Sequence, residues 1–290
     1  MWSPAAGLLA LAVAASMAGC GTPEQQRPQG FIQRPAHVWT LAELKDGIFQ
    51  NAGNWASLKA SCALTVRGPA VQGENNQRSY RKGTLWLSKP EAKEKEAPLV
   101  LLRLEFGEGG RDLLVVGDGR RYAVYAPGLN KEGFVGAYGA LSRSAVLPLR
   151  PEDIADALEP AGVLWNQIQI LKQEGPVLEI LSMEVGAKRN PADPAQPRVA
   201  ALGLVSNLIL KKIDQKPHYV LKYDENGFPL VDVKMLRFQS TEGANKAPTS
   251  LADQFWIGYP EQGTEMLIEL SNLALNVPVP LKSFKLPTSD

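Results

Sequence analysis

The feature that most constrains the fold is a succession of short apolar segments, separated by turn residues, that continues for most of the chain. Segments of this length, rich in Leu, Val, Ile and aromatic residues, predict β-strands rather than helices. Asp118-Gly119 and Asn226-Gly227 each separate two such segments, which is typical of antiparallel hairpins. The pattern therefore predicts about 10–12 antiparallel strands in a single domain, at residues 58–67, 79–88, 98–106, 111–116, 121–125, 165–172, 177–185, 202–213, 218–223, 230–239, 254–259 and 265–275.

Several of these segments are apolar on both of the alternations that a strand presents. Examples are LVLLRLEF at 99–106, DLLVV at 112–116 and LGLVSNLIL at 202–210. A sheet with one face in water should alternate more clearly between apolar and polar residues. We therefore expect the second face to be covered or to line an apolar cavity. The glycine-rich, apolar segment from Pro127 to Pro160 is predicted to interrupt the sheet and to supply that cover.

Two helices are predicted from their starting residues. Thr40 and Glu43 match a capping box, and apolar residues at helical spacing then predict a helix from Leu41 to about Asn51. A second helix is predicted from Pro151 to Leu158, because proline suits the first turn and the acidic residues after it complement the positive end of a helix.

The first 36 residues are unlike the rest of the chain. Residues 1–19 hold an apolar run that is typical of a signal peptide, and Met17-Ala18-Gly19-Cys20 resembles the lipobox of bacterial lipoproteins, in which the cysteine receives the lipid. Residues 20–36 are rich in proline and polar residues and are predicted to be a flexible tether. An uncleaved membrane anchor is the alternative for the apolar run. The remaining residues, 37–290, are predicted to form one domain.

Composition excludes several classes of function. The 31 basic and 30 acidic residues give a net charge of +1, which argues against a nucleic-acid partner. With Cys20 used for lipid, Cys62 has no intramolecular partner and is predicted to be a small core residue. The two histidines, His37 and His218, form no cluster with metal-ligand spacing, and the chain has neither a Gly-x-Ser-x-Gly motif nor a phosphate-binding loop. We therefore predict no catalytic residues, no metal and no cofactor.

The order of segments from about residue 40 to residue 287 resembles the LolA/LolB family of bacterial lipoprotein carriers and outer-membrane lipoprotein receptors. In that family an aromatic strand ends in a basic residue and proline, a later hairpin turns at Asp-Gly and ends in Tyr-x-Pro, and the tail carries an asparagine and spaced prolines before Phe-x-x-Pro. The corresponding residues here are Trp86, Lys89, Pro90, Asp118, Gly119, Tyr125, Pro127, Asn276, Pro278, Pro280, Phe284 and Pro287.

The resemblance implies an α+β fold: an open antiparallel half-barrel whose concave face is covered by helices, with acyl chains bound between them. Lys89 stands where the soluble carriers of the family have an arginine that holds the lid shut. Because lysine lacks the planar donor fork of arginine, we expect a latch at Lys89 to be looser or absent. The residues that this resemblance places in the ligand cavity are Leu85, Trp86, Leu87, Leu102, Leu104, Phe106, Leu114, Val116, Tyr125, Phe134 and Tyr138.

The sequence thus leaves two main hypotheses. The first is a lipid-anchored envelope protein that binds the acyl chains of lipids or lipoproteins, located at the outer membrane and facing the periplasm. Gly21 supports that location, since the residue after the lipidated cysteine is not the aspartate that commonly retains lipoproteins in the inner membrane. The second is an interaction or sensor module on the same fold, with its cavity filled by its own side chains and an envelope protein as partner. An esterase is the third and least favoured, because it needs a converging nucleophile, base and acid.

Overall fold

The computed structural model describes residues 37–69, 71, 74–89, 100–127, 130–138, 140, 147–164, 168–188, 199–224 and 226–286. Contacts along the chain separate two compact units, Met1–Val38 and Trp39–Asp290. The buried core residues of the described part of the chain belong to the second unit, and the architecture below is that of this unit alone.

One antiparallel sheet of 13 strands forms the framework of the domain. The strands are β1 (Ser57–Arg67), β2 (Gln77–Ser88), β3 (Leu101–Phe106), β4 (Leu113–Gly117), β5 (Arg121–Ala126), β6 (Asn130–Ala137), β7 (Ile168–Glu174), β8 (Val177–Lys188), β9 (Val199–Lys211), β10 (Pro217–Tyr223), β11 (Pro229–Glu242), β12 (Pro248–Tyr259) and β13 (Thr264–Leu275).

The strand order is β6-β5-β4-β3-β2-β1-β13-β12-β11-β10-β9-β8-β7, so the sheet consists of two meanders joined where β1 pairs with β13. β6 and β7 are consecutive in the chain, yet they form the two opposite edges. The sheet is therefore open, and the connection between β6 and β7 must cross from one edge to the other. This is the α+β open half-barrel that the sequence predicted.

Both predicted helices are present. In α1 (Leu41–Gly53) the Glu43 amide donates to the Thr40 hydroxyl at 3.2 Å, and the Thr40 amide donates to the Glu43 carboxylate at 2.8 Å, which completes the capping box. α2 (Pro151–Leu158) has its proline in the first turn and is followed by a 3-10 helix, Pro160–Leu164. Within the described residues, neither helix has the length and apolar character to cross a membrane.

The prediction that residues 127–160 interrupt the sheet is wrong for the first part of that segment. Residues 130–137 form β6, which extends the sheet by pairing with β5, with Val124 opposite Phe134. Gly133 and Gly136 concealed this strand, because glycine normally weakens one. Here a Cβ on Gly136 would lie 2.5 Å from the Phe134 ring, and one on Gly133 would lie 3.2 Å from the Tyr125 ring. The glycines make room for aromatic rings that pack along the edge strand.

Candidate functional site

The inner face is the face of the sheet against which α2 packs. On its β1–β5 half, aliphatic side chains form continuous rows across neighbouring strands, one of which runs through Leu85, Leu104, Val115 and Val124. Each of these side chains is almost completely buried. Cross-strand neighbours lie on the same face of a sheet, so these rows form one apolar surface.

A stretch of chain that we call the cover segment (residues 147–164) lies on the inner face, and α1 packs beside it. The cover segment comprises α2, the 3-10 helix after it and the two leucines before it. A Cβ on Gly117 would lie 3.0 Å from both the Pro151 ring and the Tyr138 ring, so the absence of a side chain there lets both rings approach β4. Side chains that the cover segment contributes to the core are Leu147, Leu149, Ile154, Ala157, Leu158, Ala161, Val163 and Leu164.

Seven of the residues predicted to line a cavity lie on the inner side of the sheet. Their register puts the strand residues on the inner face. The Tyr138 ring lies edge-on to the Tyr122 ring at 6.5 Å, and its hydroxyl donates to the Val100 carbonyl. The seven are Leu85, Leu87, Leu102, Leu104, Phe106, Phe134 and Tyr138.

The other four predicted cavity residues, Trp86, Leu114, Val116 and Tyr125, lie on the opposite, outer face. Successive side chains of a strand point to opposite faces, and the resemblance in sequence did not specify which alternation faces inward. Trp86 is opposite Arg103, and the Lys59 ammonium lies 4.3 Å from its ring centroid. These four side chains therefore cannot line a cavity beneath the cover segment.

Part of this outer face has a cover of its own. Val116 is fully buried although it lies on the same face as Arg103, its cross-strand neighbour. The Arg103 guanidinium donates to the Ser283 carbonyl at 3.2 Å, which places the C-terminal 3-10 turn, Leu281–Phe284, over the outer side of β3. The apolar residues on both alternations of this part of the sheet are thus explained by two separate covers.

Ionisable groups are buried where the cover segment meets the second half of the sheet. Asp153 is fully buried and accepts two hydrogen bonds from Arg150, both at 2.7 Å, one from Lys222 at 2.9 Å and one from the Tyr259 hydroxyl at 2.8 Å. Lys222 also pairs with Asp156. We call these five residues, Arg150, Asp153, Asp156, Lys222 and Tyr259, the buried ion cluster.

Two opposing effects set the pKa values in this cluster. Burial alone would raise the pKa of Asp153, but the charges of Arg150 and Lys222 hold it below its usual range. Burial dominates at Asp156, whose pKa is raised although Lys222 opposes the shift. Asp153 is therefore the carboxylate whose charge the cluster is built to hold.

Sequence reasoning missed the buried ion cluster. The acidic residues of α2 were assigned only to the positive end of that helix. Two signals in the sequence could have indicated the cluster. The first is that Asp153 and Asp156 are three residues apart and so share one side of α2. The second is that Lys222 lies on the same alternation of β10 as the buried Val220.

Lys89 joins three elements at the end of β2. Its ammonium donates to the Ala52 carbonyl of α1 at 2.6 Å and to the Glu159 carboxylate at 2.8 Å, and it lies 3.6 Å from the Trp55 ring centroid. Burial lowers the pKa of Lys89 and raises that of Glu159, and the attraction between the two charges opposes both shifts. A contact at Lys89 is thus present, with the ammonium held from three sides; that it is looser than an arginine contact stays a prediction.

The seven inward-facing residues belong to, or pack against, the same buried core as the side chains of the cover segment. A pocket of about 260 Å³ lies farther along, between α1 and the β9–β10 turn, and is lined by Leu44, Ile48, Glu159, Lys216 and Phe238 among others. This pocket is smaller than most ligand sites, which measure about 300–1,000 Å³. A groove of about 530 Å³ that contains Arg81 and Arg237 adjoins none of the seven inward-facing residues.

Some predictions cannot be placed in the structure. Cys20, the leader and the tether lie outside the described residues, as do Pro90 and Pro287. Among the described residues, no group of three or more His, Cys, Asp or Glu side chains is arranged to hold a metal ion.

Comparison with known proteins supports the fold. No protein-family model and no curated protein matches the chain. Similar solved structures include a DUF1329 family protein from Desulfovibrio piger, with TM-score 0.50 and 14% identity, covering 86% of this chain and 98% of that one. An outer membrane lipoprotein-sorting protein domain from Vibrio parahaemolyticus has TM-score 0.49 and 11% identity, with coverages of 83% and 94%. A LolA superfamily protein from Nitrosomonas europaea has TM-score 0.46 and 13% identity, with coverages of 83% and 97%.

The α+β open half-barrel that the sequence predicted is confirmed. The likeness to the Desulfovibrio piger protein extends over nearly all of that protein. Identities this low establish the architecture alone, because one fold serves many functions.

Proposed function

We propose that the protein is a lipoprotein of the bacterial envelope that binds the acyl chains of lipids or lipoproteins between the inner face and the cover segment. The observation that carries this proposal is the nature of the cover. In the described part of the chain, an extensive apolar surface on an open sheet is covered by short helical stretches, the cover segment and α1, rather than by a second sheet. Such a stretch can move away without unfolding the framework and expose an apolar surface for an acyl chain.

The acyl chain would lie on the seven inward-facing residues named above. Burial of apolar surface contributes about 25 cal/mol per Å², so an acyl chain that replaces the side chains of the cover restores much of the free energy lost when the cover moves. The exchange of one apolar partner for another keeps the inner face away from water in both states.

Two polar contacts hold the cover segment and would set how easily it opens. Asp153 ties α2 to Lys222 and Tyr259, while Glu159 ties the end of α2 to Lys89. Hydrogen-bonded charges of this kind have specific partners and defined geometry. They would return the cover to one closed position after the ligand has left.

The anchor and the location are also part of the proposal. Lipid on Cys20 would attach the protein to the outer membrane, where it would face the periplasm. Each buried CH2 group of the lipid contributes about 0.8 kcal/mol, so several chains anchor a protein durably. The proposed partners are thus membrane lipid, the acyl chains of the cargo and a protein of the envelope.

A fluorescent fatty acid tests the role of Lys89 in ligand binding. The protein would carry Cys20→Ser and lack residues 1–19, which removes none of the described core. We expect Lys89→Met to release the bound probe several times faster, because Glu159 loses the partner that holds the cover. Lys59→Met is the matched control, since Lys59 also stacks on a tryptophan but does so on the outer face. Equal release rates for the parent and both variants would contradict a latch at Lys89, and absence of probe binding would contradict the lipid site.

The interaction-module hypothesis retains one supporting observation: the strand residues of the inner face are buried in the same core as side chains of the cover segment. If the cover segment never moves, the inner face serves only as core and binding occurs at the surface. Photo-cross-linking in envelope preparations would then capture a protein partner, and the purified protein would neither contain lipid nor bind the fluorescent fatty acid.

A further inference from the structure

Ile213 is the most exposed of the large apolar side chains in the described part of the chain, at 89%. It lies in the turn between β9 and β10, which is held by its own hydrogen bonds. The Gln215 amide donates to the Lys211 carbonyl at 2.8 Å, and the Lys216 amide donates to the Asp214 carboxylate at 3.1 Å. An ordered turn thus holds an aliphatic side chain in water, where it contributes nothing to the core.

The charges beside Ile213 favour an anionic partner. Lys211 and Lys212 precede it directly, and neither forms an ion pair with any residue that the structure describes. The nearest carboxylate, Asp214, is occupied by the His218 ring at 3.1 Å and by the Lys216 amide. An aliphatic tip flanked by lysines suits the boundary between acyl chains and anionic headgroups.

This turn lies beside the point where the chain enters the domain. The Trp39 carbonyl accepts a hydrogen bond from Gln173 at 2.6 Å, at the end of β7. Across the β7–β8 turn, the Pro176 carbonyl accepts one from the Lys212 amide at 2.9 Å. The turn and Trp39, the first residue of the domain, thus both contact the β7–β8 hairpin.

The same turn forms part of the rim of the 260 Å³ pocket. Asp214, Gln215, Lys216 and Pro217 line one side of it, and α1 lines the other. Glu159, which pairs with Lys89, also lines this pocket. A surface that met Ile213 would thus lie at the mouth of a pocket that continues to the end of the cover segment.

We infer that the turn from Lys211 to Lys216 is a membrane-docking surface. It contacts a phospholipid bilayer with anionic headgroups, inserts Ile213 between them and holds the pocket mouth against the lipid. The inference rests on the proposed function, and it adds the orientation in which acyl chains would pass between the membrane and the inner face.

Flotation with vesicles tests the docking surface. The Cys20→Ser protein without residues 1–19 would be mixed with vesicles of phosphatidylcholine and phosphatidylglycerol, and separately with phosphatidylcholine alone. We expect Ile213→Ser to weaken partitioning about ten-fold or more, because burial of an isoleucine exceeds one ten-fold step. Lys211→Gln with Lys212→Gln should weaken binding about five-fold per lysine on the anionic vesicles only, and added salt should have the same effect.

Phe228→Ser is the matched control. Phe228 is 68% exposed but lies in the turn at the opposite end of β10, so its replacement should leave partitioning unchanged. An equal loss in both variants, or no flotation of the parent protein, would overturn the docking surface. The docking surface would also be overturned if, in the absence of vesicles, the parent protein cross-linked to an envelope protein and Ile213→Ser did not.

Lipid carried by the purified protein separates the two claims. If lipid is bound but the parent protein does not float, the proposed function stands and the docking surface is wrong. If the parent floats through Ile213 but carries no lipid and binds no fatty acid, the docking surface stands and the proposed site beneath the cover is wrong.

Discussion

Replacement of Asp153 by asparagine should destabilise the closed cover segment strongly. Both carboxylate oxygens face donors: Oδ1 accepts from Arg150 and Lys222, and Oδ2 accepts from Arg150 and Tyr259. Asparagine has the same shape but turns an NH2 group toward two of these donors and removes the charge that two buried cations require. Removal of one partner from a buried ion pair costs about 3–5 kcal/mol.

Urea unfolding and hydrogen exchange would measure this loss. With an m-value of about 2–3 kcal/mol/M, the midpoint should fall by about 1–2 M. Amides of α2 should exchange faster by at least about two powers of ten, since each 1.4 kcal/mol is ten-fold. Glu174→Gln is the matched control, because Glu174 also pairs with a lysine, Lys172, but at the surface, and the midpoint should not change. A loss below about 1 kcal/mol in Asp153→Asn would refute the reasoning, because that is the cost expected of an exposed pair.

Three further predictions concern groups that the fold buries. Burial raises the pKa of the Cys62 thiol to about 12, so a maleimide should label Cys62 only in the unfolded protein; labelling of the native protein would contradict its place in the core. Burial also raises the pKa values of Tyr122 and Tyr138. The free energy of unfolding should therefore fall as the pH rises above about 10, the tyrosine pKa in the unfolded chain. Absorbance at 295 nm should show that both phenols ionise only when the protein unfolds. Gly83→Ala should lower the free energy of unfolding by about 1–3 kcal/mol, because its Cβ would lie 2.3 Å from the Phe106 ring. Gly47→Ala in α1 should raise it by about 0.5–1 kcal/mol, because its Cβ meets nothing within 4 Å. Thermal unfolding of both variants would measure the two changes.

Elements with a local signal could be predicted from the sequence. The capping box at Thr40 places the start of α1, and Pro151 places the start of α2, because each is decided by hydrogen bonds or dihedral angles within one turn. Most strand positions were predicted within a few residues, because apolar runs bounded by turn residues mark them, but β12 begins at Pro248 rather than at the predicted Gln254. β6 was not predicted, since Gly133 and Gly136 take their meaning from aromatic rings elsewhere in the sheet.

Features that depend on two distant segments could not be predicted. The pairing of β1 with β13 leaves no trace in either strand alone. Which face of the sheet is the inner one is equally non-local. Leu85 and Trp86 are adjacent in β2 and both are apolar, so only the position of the cover segment decides which of the two side chains lies beneath that segment. In the buried ion cluster, Arg150 and Asp153 contact Lys222 and Tyr259, which are distant in the sequence, so no local pattern predicts these contacts.

The central claim is that acyl chains bind beneath the cover segment, and the most direct test is a mass spectrum of the lipids that the protein retains. The Cys20→Ser protein without residues 1–19 would be purified without detergent and extracted with organic solvent. We predict acyl-containing species in a stoichiometric amount. A stably folded protein that yields no lipid would contradict the claim and would indicate an inner face filled permanently by the side chains of residues 147–164.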